Sequence, residues 1–478
     1  MNDAAEQARS QGFDEGLDEK QRQTESSLTG EHRRLIFVLI VGVFLPLLDA
    51  TAVNIAVREM SIDLAAPLSV IQRVSIAYTL AAAAVVPLSA WGAHRIGPKR
   101  MWIAGLLAFL AGSFLATLAW SAASLIAFRV VQGIGAGLLM PIMQTLLIGS
   151  VGRRNASAAL AAMAVPAVIA PILGPLVGGL ALHYGGWRSI FGINIPLCLL
   201  GIHLALRRLP ADERSAAPPF DGIGFLLLCP GVVLTVYGLS ALGDSIGGNS
   251  MRGAALGAAG IGLGAAFVLH ARTRSARPLI DVGLFRVRSF RSSALLLLLS
   301  SVAFYGGLLL LPLYFLQGCR LGTIETSALL ALQGVGALVS RHYLEPLSRR
   351  LGTAALAFAS ILLAILGTMP FMGPFGPEHW PVFAVSTFVR GAGLGLLTIL
   401  ALSTAYRDVD GPRIPDASAL TRILTHLGAA LGAASVLAAL QFGTGGTPDT
   451  EQTGFVLAFG FLVLISMACA LPAAKLGR

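Results

Sequence analysis

The stretch LIFVLIVGVFLPLLDATAVNIAV, residues 35–57, is an apolar run broken by one carboxylate, Asp49. Roughly 20 predominantly apolar residues suffice for a helix to cross a bilayer, so the run reads as a membrane span. Similar runs recur along the whole chain, separated by short polar breaks. Of the 478 residues, 55% are hydrophobic and 12% charged, and the mean hydropathy is +0.77. That much apolar surface cannot be presented to water, so the chain is expected to be an all-α polytopic membrane protein rather than two or three soluble domains.

The formal net charge of +10 could suggest nucleic-acid binding. That reading requires the basic residues on one solvated face or in one tail, whereas here they are scattered in ones and twos between apolar runs, and nucleic acid is excluded as a partner. The four cysteines, Cys198, Cys229, Cys319 and Cys469, lie far apart and mostly inside apolar runs. No disulfide framework or metal-ligand spacing results. Residues 1–34 carry eight carboxylates and five Lys/Arg without a signal-peptide core, and are expected to form a disordered cytoplasmic tail.

Candidate spans lie near residues 35–57, 73–92, 101–119, 124–148, 157–182, 190–206, 222–242, 254–271, 291–316, 326–345, 352–372, 381–403, 417–441 and 454–473. An even count of fourteen puts both termini on one side. Lys and Arg accumulate in the tails and in every second break, while the remaining breaks hold only Arg58, Arg73, Arg188, Arg252 and Arg320. Cytoplasmic loops retain such residues, so both termini are expected in the cytoplasm of a multi-pass inner-membrane protein.

An internal repeat underlies the count. HRIG at 94–97 returns as RRLG at 349–352, an offset of 255, and GIGAG at 133–137 as GAGLG at 391–395, an offset of 258. Gly174 maps at 258 onto Gly432. The expected organisation is therefore two six-helix bundles, 35–208 and 281–474, joined by a linker at 209–280 that carries two extra helices, with a short cytoplasmic tail at 475–478.

A few residues exceed what packing alone asks for. Asp49 is the carboxylate deep in a span; Glu345 stands near a span end. An ionisable group at such depth is costly unless it faces a polar cavity, finds a partner or takes up a proton. A reversible proton site is the favoured reading, and a neutral acid bonded to a neighbouring helix the competing one. Arg129, Arg390 and Arg422 are cations within spans; arginine stays charged and must face carboxylates, carbonyl groups or water. Gln132 and the glycines at 133, 135 and 137 follow Arg129, and those glycines permit close helix contact. They are not a dinucleotide fingerprint, because no strand precedes them and no acidic residue follows at the required distance. The fifth span reads APILGPLVGG at 170–179, where prolines remove backbone donors and glycines allow bending. The break GAHRIGPKR, residues 92–100, is a tight basic turn.

Together these stretches resemble the major facilitator superfamily, in particular its fourteen-helix drug:proton antiporter family, over roughly residues 33–474. LDATAVNIAV at 48–57 is similar to the family's first-helix signature, FRVVQGIGAG at 128–137 to its fourth-helix motif, LGPLVGG at 173–179 to the fifth-helix antiporter motif, and GWRSIFGINIP at 186–196 to the start of its sixth helix. The resemblance implies that Asp49 binds the transported proton with Arg129 as functional partner. It further implies that Gly174, Pro175, Gly178 and Gly179 govern the change of access, and that His94, Arg95, Gly97 and Lys99 form a conformational latch. Asn54, Gln132, Arg390 and Arg422 are candidates to line the cavity. Departures from the pattern are Ala90 for glycine and His94 for aspartate in the latch, Arg58 for proline, and Arg73 for tryptophan.

The expected function is export of small lipophilic or cationic compounds in exchange for protons by alternating access, with the proton gradient as energy source and no cofactor or metal. No GxxxxGK[ST] nucleotide motif occurs, and no enzymatic activity is expected. Beyond the small-molecule substrate and the lipid bilayer, a periplasmic adaptor protein is left open as a partner. Export of one metabolite, siderophore or antibiotic is the alternative, with a transport-inactive membrane sensor behind it.

Overall fold

A computed structural model describes residues 30–152, 155–212, 219–243, 250–273, 278–373, 377–444 and 451–476. The expected tail at 1–29 lies outside them. Among the described residues there is no strand. The longer helices are α1 (Gly30–Ala52), α2 (Leu68–Ile96), α3 (Pro98–Thr117), α4 (Ala122–Val151), α5 (Ala164–Gly192), α6 (Asn194–Arg208) and α7 (Gly222–Gly243). They continue with α8 (Ser250–Thr273), α9 (Arg288–Leu313), α10 (Thr323–His342), α11 (Thr353–Leu366), α12 (Trp380–Ala405), α13 (Ile414–Thr444) and α14 (Glu451–Ala468). Among the described residues twelve stretches are long and apolar enough to cross a membrane, against the fourteen expected. One of the twelve, Leu176–Arg208, takes in the end of α5 and all of α6, and α10 is not among them. The helical path of α5 breaks at Gly186, where φ is 66°.

Helix boundaries follow local chemistry. Ser121 caps α4, its side chain accepting from the Ser124 amide, which satisfies one of the free amides at a helix start. The α2–α3 turn depends on Gly97, with φ of 93°, and the equivalent turn on Gly352, with φ of 79°; only glycine adopts this backbone at no steric cost.

The two halves pack alike. In the first, α2 and α3 lie on α4 and α1 lies on α5; in the second, α10 and α11 lie on α12 and α9 lies on α13. Glycine sets these contacts. A Cβ at Gly133 or Gly137 would overlap the α2 backbone, and one at Gly135 the α3 backbone; the echoed Gly391 and Gly395 face α10 in the same way and Gly393 faces α11. Gly174 meets α1 as Gly432 meets α9. Small residues allow this approach, and close backbone packing drives association where the surrounding lipid is itself apolar. Helices α7 and α8 pack on each other, and α7 also lies on α2 and α13.

The halves meet at one end, the end bearing the basic turns. A single apolar cluster there takes in Val85, Ala93, Leu146 and Val151 from the first half and Tyr406, Ile414, Ala417 and Leu420 from the second. Polar contacts cross the same seam. Tyr406 donates from its hydroxyl to Gln144 Oε1 at 3.2 Å and His94 Nε2 lies 3.0 Å from Asp416 Oδ2, while within the second half Asp416 Oδ1 accepts from the Asp281 amide at 3.0 Å. At the opposite end each half has its own apolar cluster, one around Trp187 and Phe191 and the other around Tyr314, Phe371 and Phe459. The halves are thus closed on each other at the basic end, and among the described residues no apolar cluster joins them at the far end.

Candidate functional site

Asp49 stands near the end of α1, three residues after Pro46, and is 2% exposed. Three donors converge on it. Arg129 of α4 donates from Nη1 to Oδ2, Gln132 from Nε2 to Oδ1 at 3.0 Å, and Asn194, which begins α6, from Nδ2 to Oδ1 at 2.9 Å. Arg129 and Asn194 are each 1% exposed, and Gln132 is fully buried. The pair is thus a charge-assisted bond sealed from solvent, where its strength depends on every remaining lone pair and proton being satisfied.

The surroundings largely meet that demand. Arg129 also donates to Gln132 Oε1 at 2.6 Å, and Gln132 donates to Ser113 Oγ of α3 at 2.8 Å. The spacing of 129 and 132 puts both side chains on one face of α4. Gly112 makes room, since a Cβ there would overlap the Gln132 backbone. The Arg129 guanidinium lies 4.1 Å from the centroid of the Tyr78 ring and 5.7 Å from that of Phe191, a cation–π arrangement out of reach of water. Tyr78 in turn donates to the Pro46 carbonyl at 3.2 Å, tying α2 to α1 beside Asp49.

Two residues on, Thr51 meets α5. Its hydroxyl donates to the Leu48 carbonyl at 3.0 Å and lies 3.5 Å from that of Ala170. A Cβ at Gly174 would overlap this hydroxyl, and one at Gly178 would press on Ala52, whereas one at Gly179 meets nothing within 4 Å. The antiporter-motif glycines therefore divide: two form the α1–α5 crossing and the third faces away. The side chains of Pro175 and Asn54 lie outside the described residues.

At the expected latch, His94 carries the cross-half contact to Asp416. Beside it stands a carboxylate from beyond α6, Asp212. Its Oδ1 accepts from the Lys99 amide at 2.7 Å and its Oδ2 from the Arg100 amide at 3.0 Å, capping α3 with a negative charge at the favourable end of the helix dipole. Lys99 Nζ donates to the carbonyls of Leu206 and Leu209 at 3.0 and 2.8 Å, tying α3 to the end of α6. A Cβ at Gly97 would overlap Asp212. Arg95 is exposed.

Arg390, fully enclosed, donates from Nη2 to the Ala303 carbonyl of α9 at 2.7 Å in space left by Gly307. Arg422 of α13 is partly accessible. Sequence reasoning missed Asn194, Ser113, Tyr78 and Asp212. Asn194 carried a signal, a lone amide opening an apolar run within GWRSIFGINIP.

Comparison with known proteins gives the arrangement a family setting. The Major Facilitator Superfamily model matches residues 39–433. The Multidrug resistance protein B homolog of Mycobacterium tuberculosis H37Rv is 31% identical over 399 residues, covering 82% of this chain and 74% of that one. Among solved structures, the human organic anion transporter MFSD10 aligns with a TM-score of 0.62 at 14% identity, over 92% of this chain and 100% of that one. The proton:xylose symporter XylE aligns with a TM-score of 0.61 at 12% identity, over 92% and 95%. Similarity at these identities speaks for the fold alone.

Proposed function

This chain belongs to the major facilitator superfamily, and from that premise we propose that it exports small lipophilic compounds across the inner membrane in exchange for protons. The observation that carries the reading is the buried Asp49 held by Arg129, Gln132 and Asn194. It is a titratable group sealed inside the first half. The multidrug resistance name of the relative supports the substrate class.

In this reading the basic end and both termini are cytoplasmic, following the retention of Lys and Arg inside. The closed seam then makes the present state outward-facing. Fourteen crossings result if the break at Gly186 separates α5 from α6 and α10 spans as well. Residues 35–208 and 281–474 form the two bundles, and α7 and α8 lie in the 209–280 linker. No cofactor enters the cycle, and a periplasmic adaptor is an additional partner to be sought.

A proton arriving from outside neutralises Asp49. The neutral acid no longer holds Arg129 by charge, so the bonds joining α1, α4 and α6 weaken and the first half is freed to rock against the second. Substrate binding on the cytoplasmic side then favours release of the proton inward. One proton crossing 100 mV and one pH unit yields about 2.3 plus about 1.4 kcal/mol. That supports a gradient of a few hundred-fold for a neutral substrate, at about 1.4 kcal/mol per tenfold.

The test is substrate flux in proteoliposomes under an imposed pH gradient. Wild-type protein is expected to respond to the gradient and Asp49→Asn to lose the response. Equal gradient-driven flux in the two would sink the role assigned to Asp49.

A further inference from the structure

At its rim the seam between the halves is bridged by an imidazole and a carboxylate. His94 Nε2 of α2 lies 3.0 Å from Asp416 Oδ2 of α13, and the two side chains are 27% and 11% exposed. The contact is shielded from bulk water yet open to protons from that side. His94 stands two residues before the end of α2, and Asp416 two residues after the start of α13. A helix C-terminus favours a cation and a helix N-terminus an anion, so both helix dipoles favour the charged form of the pair. The second oxygen of Asp416 accepts from the Asp281 amide at 3.0 Å, which holds the carboxylate with Oδ2 turned to His94. An aspartate at position 94 would face Asp416 with like charge.

The other charged groups at this end are engaged elsewhere. In the second half, Arg413 pairs with Asp281 Oδ2 at 2.6 Å. In the first, Lys99 donates to the carbonyls of Leu206 and Leu209, Asp212 accepts from the amides of Lys99 and Arg100, and the side chains of Arg95 and Arg100 are exposed. The described part of α4 carries no charged residue at this end. In the linker, Asp221 lies 3.0 Å from His270 and accepts from the amides of Gly224 and Leu279, contacts that stay within the linker. Among the described residues, His94 is thus the group in contact with Asp416 across the seam whose charge changes near neutral pH.

We propose that His94 and Asp416 form a proton-sensitive latch, closed by protonation from the basic side and loosened by deprotonation. Neutral imidazole offers Asp416 one ordinary hydrogen bond, whereas imidazolium offers a charge-assisted one, roughly twice as strong. Parting the halves takes the carboxylate away from His94. The closed state therefore binds the proton more tightly than the open state, and by linkage protons favour closure. Closure gains as pH falls through the imidazole range and is lost as pH rises through it. The consequence for transport rests on the orientation and exchange proposed above: protons delivered to the cytoplasm accumulate on the side where they hold the seam shut, so import slows itself as the cytoplasm acidifies.

Spin labels at the exposed positions Arg208 and Arg350 read the distance across the basic end in nanodiscs, at pH about 6 and about 8, either side of the imidazole range. Recording the series in the Asp49→Asn background removes titration of Asp49 from the response. The long-distance population relative to the short one is expected to grow about fivefold from the acid to the alkaline sample, the difference between a charge-assisted and a neutral bond. H94Q should give one ratio at both pH values, and H94K, whose ammonium stays charged, should remain closed at both. H270Q should keep the response. A ratio independent of pH with His94 present, a response that survives in H94Q, or one lost in H270Q would overturn the proposal. Should H94Q fail to elute as folded protein, the pH series with His94 present and H94K decide.

Flux in proteoliposomes separates the latch from the exchange reading. Equal gradient-driven flux in wild type and Asp49→Asn, with the pH response of the seam intact, would remove proton exchange and leave the latch standing. Flux lost in Asp49→Asn with no response of the seam would do the reverse.

Discussion

At the residue scale, Asp49 and Arg129 form a buried pair whose members do not contribute separately. Removing one partner leaves the other as an uncompensated charge, which typically costs about 3–5 kcal/mol, whereas removing both can be nearly neutral. Arg129→Gln is therefore expected to lower the unfolding temperature sharply, and the double variant with Asp49→Asn to regain most of the loss. Thermal unfolding in detergent checks the first statement, and proteoliposome flux checks that neither variant restores exchange. Asp49 and Arg129 were legible because a charge in an apolar run stands out by its cost. Ser113, Asn194 and Tyr78 were not. A single polar side chain on a helix does not reveal which neighbour it faces, and all three come from helices other than those of the pair.

At the scale of elements, the repeat is a repeat of contacts. The glycines of GIGAG and GAGLG meet equivalent helices in the two halves, so the echo is explained by packing alone. The chemistry was not repeated with it. Asp49 plus the offset of 258 falls on Gly307 and Gln132 on Arg390, so where the first half has a carboxylate the second has space filled by a guanidinium. The α1–α5 crossing gives a paired prediction. Gly174→Val places atoms where the Thr51 hydroxyl lies and should cost about 1–3 kcal/mol by overpacking. Gly179→Ala meets open space and should stay within about 0.5 kcal/mol of wild type. Thermal unfolding and flux measured on both would separate a packing role from a merely flexible helix; equal losses would count against the crossing. The motif LGPLVGG was visible in the sequence, but the opposite orientations of its glycines depend on how α5 rotates against α1.

For the whole molecule, the decisive feature is that the halves join at the basic end. His94 with Asp416 and Tyr406 with Gln144 cross the seam there, and a hydrogen bond is worth about 0.5–1.5 kcal/mol between neutral groups and more to a carboxylate. Removing both with Asp416→Asn and Tyr406→Phe is expected to cost the closed state about 1–2 kcal/mol, which shifts the balance toward opening at that end about 5- to 30-fold. Spin labels at the exposed positions Arg95 and Arg350 report it as a population at longer distance. An unchanged distance distribution would mean that apolar packing alone holds the seam. The sequence by itself determined that the chain lies in a membrane, that it is built of helices in two related halves, and that Asp49 and Arg129 are special. Each of these follows from the cost of leaving a charge or a backbone group in lipid, a cost that acts on one run at a time. The tertiary structure decided the donors around Asp49, the capping of α3 by Asp212 and the end at which the halves close. Those depend on which faces of helices distant in the chain come together, a choice made by packing rather than by any local pattern.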